Sequence, residues 1–245
     1  MATYKLTLEY CGTEFVGWAV QPGLRTVEQT LGDALQTALG QPVKLAVAGR
    51  TDAGVHAWEQ VASFTIRSGD PELGQLVHSA NGLLSHDVTV TAAELAPDDF
   101  DARASALSRT YCYRLLARRR RSPFERERAL WWPQPIDEEL LSQCATSLVG
   151  RHDFTAFTPT ETEHVHFRRK ILDADWRRNG DIFEFWIEAD AFMRHMVRAL
   201  VGTMLEVSSG DRDLEDFRRL LDGAPRPEAG PTADPHGLYL ASVRY

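Results

Sequence analysis

An aspartate stands between an arginine and a histidine in Gly49-Arg50-Thr51-Asp52-Ala53-Gly54-Val55-His56, with a glycine on either side of it. Glycine lets a backbone turn sharply, so the segment reads as a tight loop that holds a carboxylate forward. Two readings fit. The aspartate either caps its own turn or is presented for chemistry as a nucleophile or base.

A second group of interest sits in Phe192-Met-Arg-His-Met-Val-Arg-Ala-Leu-Val-Gly-Thr-Met-Leu205, which is apolar nearly all round and reads as a buried helix. Arg194 and Arg198 interrupt it. A buried guanidinium needs an acidic partner, because an unpaired charge in an apolar interior is very costly. Asp52 is a candidate partner for Arg198, which would hold the carboxylate ionised. A plain core ion pair is the alternative.

Tyr111 lies in Arg109-Thr110-Tyr111-Cys112-Tyr113-Arg114, where strand alternation puts Tyr111 and Tyr113 on one face and Thr110 and Cys112 on the other. A tyrosine beside arginines can stack on a nucleic-acid base, or it can simply pack, as strand tyrosines do. Two basic runs, Arg118–Arg121 and Arg168-Arg169-Lys170, offer phosphate contacts through Arg118, Arg119, Arg168 and Arg169, or else are solvated surface. His164-Val165-His166, with His152, His56 or His195, is where a metal site would be sought. No carboxylate or ligand-spacing motif accompanies these histidines, so no metal is expected.

These groups need elements to position them. Tyr4–Tyr10 alternates as a half-buried strand. Thr26-x-x-Gln29 then has the form of a capping box ahead of the helical pattern Val27, Leu31, Ala34, Leu35 and Ala38. Val43–Ala48 and Val61–Ile66 read as strands, which places Asp52 in the connection between them, where scaffolds tend to carry reactive groups. Pro71–Leu84 reads as a helix opened by proline and Val88–Leu95 as a strand, completing a first half at 1–103. The second half, 104–245, carries strands at Thr110–Ala117, Ile171–Trp176, Ile182–Ala189 and Leu238–Tyr245. Its helices fall at Asp137–Val149, Phe192–Val207 and Asp213–Leu221, and Ala224–Pro235 is a Pro/Gly-rich loop. The pattern predicts an α+β fold of two similar halves, with a central mixed or antiparallel sheet, flanking helices and a cleft where the halves meet.

The 245 residues are 43% hydrophobic, enough for a sizeable core. Three cysteines without a CxxC pair argue against a disulfide framework, and neither a leader-like start nor a long apolar run is present, so a cytoplasmic protein without membrane contact is expected. The net charge of −8 hides an asymmetry: residues 1–102 hold 5 basic and 13 acidic residues, whereas 103–245 hold 22 of each. Within 103–128, nine arginines face two glutamates, the clustering expected of a phosphate-binding surface.

Taken together, several segments resemble one family, the TruA-type tRNA pseudouridine synthases. They are Glu9-Tyr-x-Gly12, Gly17-Trp18, Thr26-Val27-Glu28, Gly49–His56, Asp99-Phe100-x-Ala102-Arg103, Arg109-Thr-Tyr111, Gly150-x-His152-Asp153-Phe154, His195-Met-Val-Arg198-x-x-Val201-Gly202 and Gly237-Leu-Tyr-Leu240. They run in family order along the whole chain. The resemblance implies isomerisation of uridine to pseudouridine at tRNA positions 38, 39 and 40 in the anticodon stem-loop, without cofactor or metal. It makes Asp52 the catalytic aspartate, attacking C1′ or the base or removing a ribose proton, with Arg198 as its ion-pair partner. It makes Tyr111 the residue that stacks on uracil and accepts the C5 proton.

By the same resemblance Arg50 helps hold the target nucleotide out of its stack, and Leu238 lines the uracil pocket. Val55 and His56 are counted with them as substrate contacts. The family's members are homodimers that bind one tRNA across both subunits. The chain departs from the usual pattern at Cys11, Ala19, Ser85 and Asp101, where Asp, Gln, Pro and His are common. Two other classes compete: a metal-dependent phosphodiesterase using the histidines, and a non-catalytic RNA-binding module. The presence of Asp52, Tyr111 and Arg198 together favours the enzyme.

Overall fold

The computed structural model of the chain describes residues 1–66, 69, 71–162 and 165–245. By compactness the chain falls into two units, Met1–Arg109 with Tyr239–Tyr245, and Thr110–Leu238.

The first unit opens with β1 (Ala2–Tyr10), followed by α1 (Val27–Leu39), β2 (Ala46–Val47), β3 (His56–Ile66), α2 (Leu73–Leu83) and β4 (Val88–Ala96). Alternation along β1 buries Tyr4, Leu6, Leu8 and Tyr10, and Tyr4 stacks on Phe64 directly opposite it in β3, with centroids 5.4 Å apart. Val27, Leu31, Ala34 and Leu35 form the buried stripe of α1. β1 runs antiparallel between β4 and β3 and occupies one edge of β3 along most of its length. The other edge of β3 takes β2 at Ala62–Ser63 and, in parallel, the chain's last strand at His56–Ala57. The connection carrying Asp52 runs along that same edge, and Ala48 N–H donates to Val61 O at 2.9 Å as it enters.

The second unit contains β5 (Ser108–Leu116), β6 (Leu130–Trp131), α3 (Glu138–Leu148), β7 (Gly150–Asp153), β8 (Arg168–Asn179), β9 (Ile182–Ala189), α4 (Met196–Ser209) and α5 (Leu214–Leu220). The chain enters this unit inside β5 and leaves it at the start of β10 (Leu238–Arg244). The strands are ordered β5–β9–β8–β7, with β7–β8 and β8–β9 antiparallel, and β6 lies parallel beside β5. Phe183, Phe185, Ile187 and Ala189 give β9 a strictly alternating buried face. α3 packs on β8 and against α4 and α5. Asp137 starts α3 by accepting from Leu140 N–H, and Asp213 starts α5 by accepting from Asp216 N–H. Both units are thus α+β, each a mostly antiparallel sheet with helices, as the alternating patterns imply.

Several expectations are corrected in detail. Thr26 is the N-cap of α1, but its hydroxyl makes no cap bond and Gln29 donates instead to Asp33 at 2.7 Å, so the capping box does not form. Tertiary backbone replaces it: Val27 N–H and Glu28 N–H donate to the carbonyls of Gly17 and Trp18. Pro71 does not open α2. Glu72 does, accepting from Gly74 N–H and Gln75 N–H. β2 has two residues rather than six, and the Ala224–Pro235 loop contains a 3₁₀ turn at Arg226–Glu228.

The helix read from Phe192 begins only at Met196, because His195 sits in the left-handed region at φ 62°, which a helix cannot run through. Arg194 therefore lies outside the helix and is exposed, so it makes no demand for a buried counter-charge.

Candidate active site

Asp52 is half-buried and occupies the first position of a four-residue turn, its carbonyl accepting Val55 N–H at 3.2 Å. Gly54, the third residue of that turn, has φ 78°, a conformation that asks for glycine. Gly49, by contrast, stays outside the left-handed region.

The backbone around Asp52 is fixed from several sides. Thr51 O accepts Trp18 N–H at 3.0 Å, and Gly54 N–H donates to Phe15 O at 3.2 Å. The Thr51 hydroxyl is 2.7 Å from Tyr10 Oη, and the Gln60 amide reaches both Tyr10 Oη at 3.2 Å and Gly49 O at 2.8 Å. Burial pushes the Tyr10 phenol up to about 12, so it remains protonated throughout the neutral range. Arg109 is buried with its Nε donating to Ala48 O at 3.0 Å and a terminal nitrogen donating to Arg103 O at 2.7 Å, which ties down the start of the loop.

The far end of the loop is held by close approach. Gly12 N–H donates to His56 Nδ1 at 3.0 Å, which places the ring proton of a neutral imidazole on Nε2. A Cβ at Gly12 would lie 2.0 Å from Val55 O. His56 stacks on Tyr239 at 4.6 Å, and Trp58 stacks on the same tyrosine at 4.4 Å. Val55 and His56 are both 2% exposed, whereas Arg50 is exposed. The glycine and aromatic residues of Glu9–Trp18 thus form a bed under the Asp52 loop. Sequence reasoning assigned no role to Tyr10, Gln60 or Arg109. For Gln60 the available signal was a polar residue in an otherwise buried stretch of strand.

In the second unit Tyr111, Cys112 and Tyr113 are all buried, so both faces of β5 are covered. Tyr111 meets Phe192 edge-on at 4.9 Å, and Tyr113 Oη donates to Asp234 O at 2.8 Å. Arg198, half-buried in the first turn of α4, donates through Nε to Ala233 O at 2.7 Å, and Ala233 N–H returns a bond to Arg198 O at 3.1 Å. The loop before β10 presses so closely on this helix that a Cβ at Gly202 would lie 1.8 Å from Pro231 O. Gly237 similarly admits the Tyr113 ring, and Leu238 beside it is buried.

The basic segments divide by engagement. Arg118 pairs with Asp181 at 2.9 Å and also holds Arg120 O, while Arg121 lies over the Trp131 ring at 4.5 Å. Arg119 and Arg120 are exposed, as are Phe124 and Arg168. Arg169 is half-buried and donates to His166 O and Arg168 O. His164, from the histidine group, lies outside the described residues. Among the described residues no group of three or more His, Cys, Asp or Glu is arranged to hold a metal, and no helix is long and apolar enough to cross a membrane.

Two of the departures from the family pattern have visible roles: Ser85 accepts from Arg25 in the Arg25–Asp87 network, and Asp101 caps a turn by accepting from Arg103 N–H and Ala104 N–H.

Residues 144–245 match the family model described as tRNA pseudouridine synthase, which gives the class of protein. The whole chain is 43% identical to tRNA pseudouridine synthase A of Myxococcus xanthus, spanning 92% of that relative. It is 39% identical to the protein of the same name from Azorhizobium caulinodans over 95% of its length. The corresponding protein of Xanthobacter autotrophicus is 38% identical over the full length of both chains. The chain belongs to the tRNA pseudouridine synthase A family. Among solved structures, a Cbf5–Nop10–Gar1 complex aligns with 82% of this chain and 53% of that one at 10% identity and a TM-score of 0.39.

Proposed function

We propose that this protein isomerises uridine to pseudouridine in tRNA, at positions 38, 39 and 40 of the anticodon stem-loop, with Asp52 as the reacting carboxylate. The observation that carries this reading is the Asp52 turn, whose backbone is bonded on both sides to elements of its own unit while its carboxylate stands on the loop. Such rigidity is what a group required to meet one substrate atom needs. The full-length identity to relatives called tRNA pseudouridine synthase A supports the choice of reaction.

In this reading the N1–C1′ bond breaks, the uracil turns in place, C5 bonds to C1′, and the proton leaving C5 is balanced by one gained at N1. The bonds balance within the nucleotide, so no cofactor is called for. Arg198 is the ion-pair partner of Asp52, Tyr111 stacks on the uracil and accepts the C5 proton, and Arg50, Val55, His56 and Leu238 hold the nucleotide. The protein acts as a cytoplasmic homodimer on one tRNA. Mapping pseudouridine in tRNA from cells with and without the gene tests the reading: the signals at positions 38, 39 and 40 should vanish and return on re-expression. An unchanged map would overturn it.

Phosphate contact comes from the arginines of both basic runs, the exposed Arg119 and Arg168 and the half-buried Arg118 and Arg169. Since Arg118 is already paired with Asp181 and holds a loop carbonyl, the cleaner test uses its neighbours. Arg119→Ala with Arg120→Ala should weaken tRNA binding and lower the slope of log affinity against log salt by roughly 0.9 for each lost contact. An unchanged slope in salt-dependent binding measurements would assign the run to solvated surface.

A further inference from the structure

Three polar side chains meet inside the core of the first unit, and all three bear on the Asp52 loop. Tyr10 comes from the end of β1, Gln60 from the middle of β3, and Thr51 immediately precedes Asp52. Tyr10 is 4% exposed, Gln60 fully buried and Thr51 6% exposed. The bonding can be resolved donor by donor. The Gln60 amide nitrogen only donates, so at Tyr10 Oη it must find a lone pair, and the phenol proton is left with the Thr51 hydroxyl 2.7 Å away as its acceptor. The same amide nitrogen also donates to Gly49 O, and Gln60 Oε1 accepts Val61 N–H at 3.2 Å. The chain therefore runs from the β3 backbone through Gln60 and Tyr10 to Thr51, with a branch to Gly49, fixing positions one and three residues ahead of Asp52.

Polar groups are costly in a core unless each bond is made, and three apolar side chains of similar size would fill the same space. What these three accomplish beyond filling space is to fix the loop at two points from below. We infer that Gln60, Tyr10 and Thr51 are positioning residues for Asp52, acting as one unit that sets the height and direction of the carboxylate. The inference rests on the proposed role of Asp52 and adds residues that touch no substrate.

Tyr10→Phe keeps the ring, its packing on Trp18 at 6.2 Å and the β1 register, and it removes only the hydroxyl. Thr51→Val keeps the shape and removes the other end of the same bond. Each should lower kcat on tRNA by about ten- to a hundredfold, with KM and tRNA affinity within about threefold, since displacement of a reacting group by less than an ångström has effects of that size. The double variant should be no worse than Tyr10→Phe alone, because that change already removes the one bond that Thr51→Val breaks. Thr51→Ser, which keeps the hydroxyl, should restore turnover to within about threefold of the starting protein.

All assays are run on folded protein well below each variant's Tm, alongside hydrogen exchange at the Gly54 and Val55 amides. Exchange there should quicken at least tenfold in Tyr10→Phe and in Thr51→Val, whatever the activity. Faster exchange in a protein whose unmodified form makes no pseudouridine would keep the positioning role and defeat the proposed reaction. Wild-type kcat in Tyr10→Phe and Thr51→Val, additive losses in the double variant, or unchanged exchange would each show that the trio only packs.

Discussion

Asp52→Asn should lower pseudouridine formation by about 10³–10⁴-fold while tRNA binding stays within about tenfold. The amide keeps the size and shape of the side chain but cannot act as an anion, either toward C1′ or as a base. None of the bonds that fix the loop backbone, from Trp18 N–H to Thr51 O, from Gly54 N–H to Phe15 O and from Val55 N–H to Asp52 O, involves the carboxylate. The loop should therefore keep its shape, and the loss should fall on kcat rather than on folding. Single-turnover assays on an anticodon stem-loop, paired with equilibrium binding of the same RNA, would decide it. Near-normal turnover would remove Asp52 from the chemistry and leave it as a turn cap.

Gly12→Ala should damage stability and turnover together. A methyl group there would lie 2.0 Å from Val55 O and 2.5 Å from Val55 C, and these are backbone atoms that cannot swing aside as a side-chain tip would. Relief requires the loop to move away from Gly12, which also breaks the Gly12 N–H bond to His56 Nδ1. Overpacking of this kind costs about 3 kcal/mol, and displacing the loop should lower kcat/KM about a hundredfold. Gly32→Ala in α1 is the control: nothing lies within 4 Å of its added methyl, so stability should rise by about 0.5–1 kcal/mol. Urea unfolding of the two variants side by side tests the pair. Equal midpoints would mean that the loop does not rest on Gly12.

What could be seen in the sequence was local. The alternation of β1 and β9, the buried stripe of α1 and the strand–loop–strand setting of Asp52 all follow from periods of two or 3.6 and from glycine, and the structure has them. What could not be seen was made by residues distant in sequence. The start of α1 looked like a capping box, but the Gly17 and Trp18 carbonyls take the helix's first donors, which leaves Thr26 and Gln29 without that task. α4 looked as though it started four residues earlier because nothing in Phe192–His195 announces a left-handed histidine. The Asp52 loop was visible as a motif, whereas its supports were not: Tyr10 and Thr51 are 41 positions apart, and Arg109 reaches back 61 positions to Ala48. The family resemblance marked Tyr10, Gly12 and Arg109 as belonging to the pattern without giving a physical reason, and their contacts with the loop supply one.

The return of residues Tyr239–Tyr245 to the first unit bears on how the protein is made. At Ala57, β3 has β1 on one edge and β10 on the other, and the Tyr239 ring lies between those of His56 and Trp58. By the time Arg109 has been added, β1 to β4 of the first unit have been synthesised but β10 has not. The nascent first unit therefore waits, with one strand edge open beside the Asp52 loop, until all of Thr110–Leu238 has been translated. Open edges of this kind invite wrong partners, so during synthesis the vulnerable segment is the start of β3.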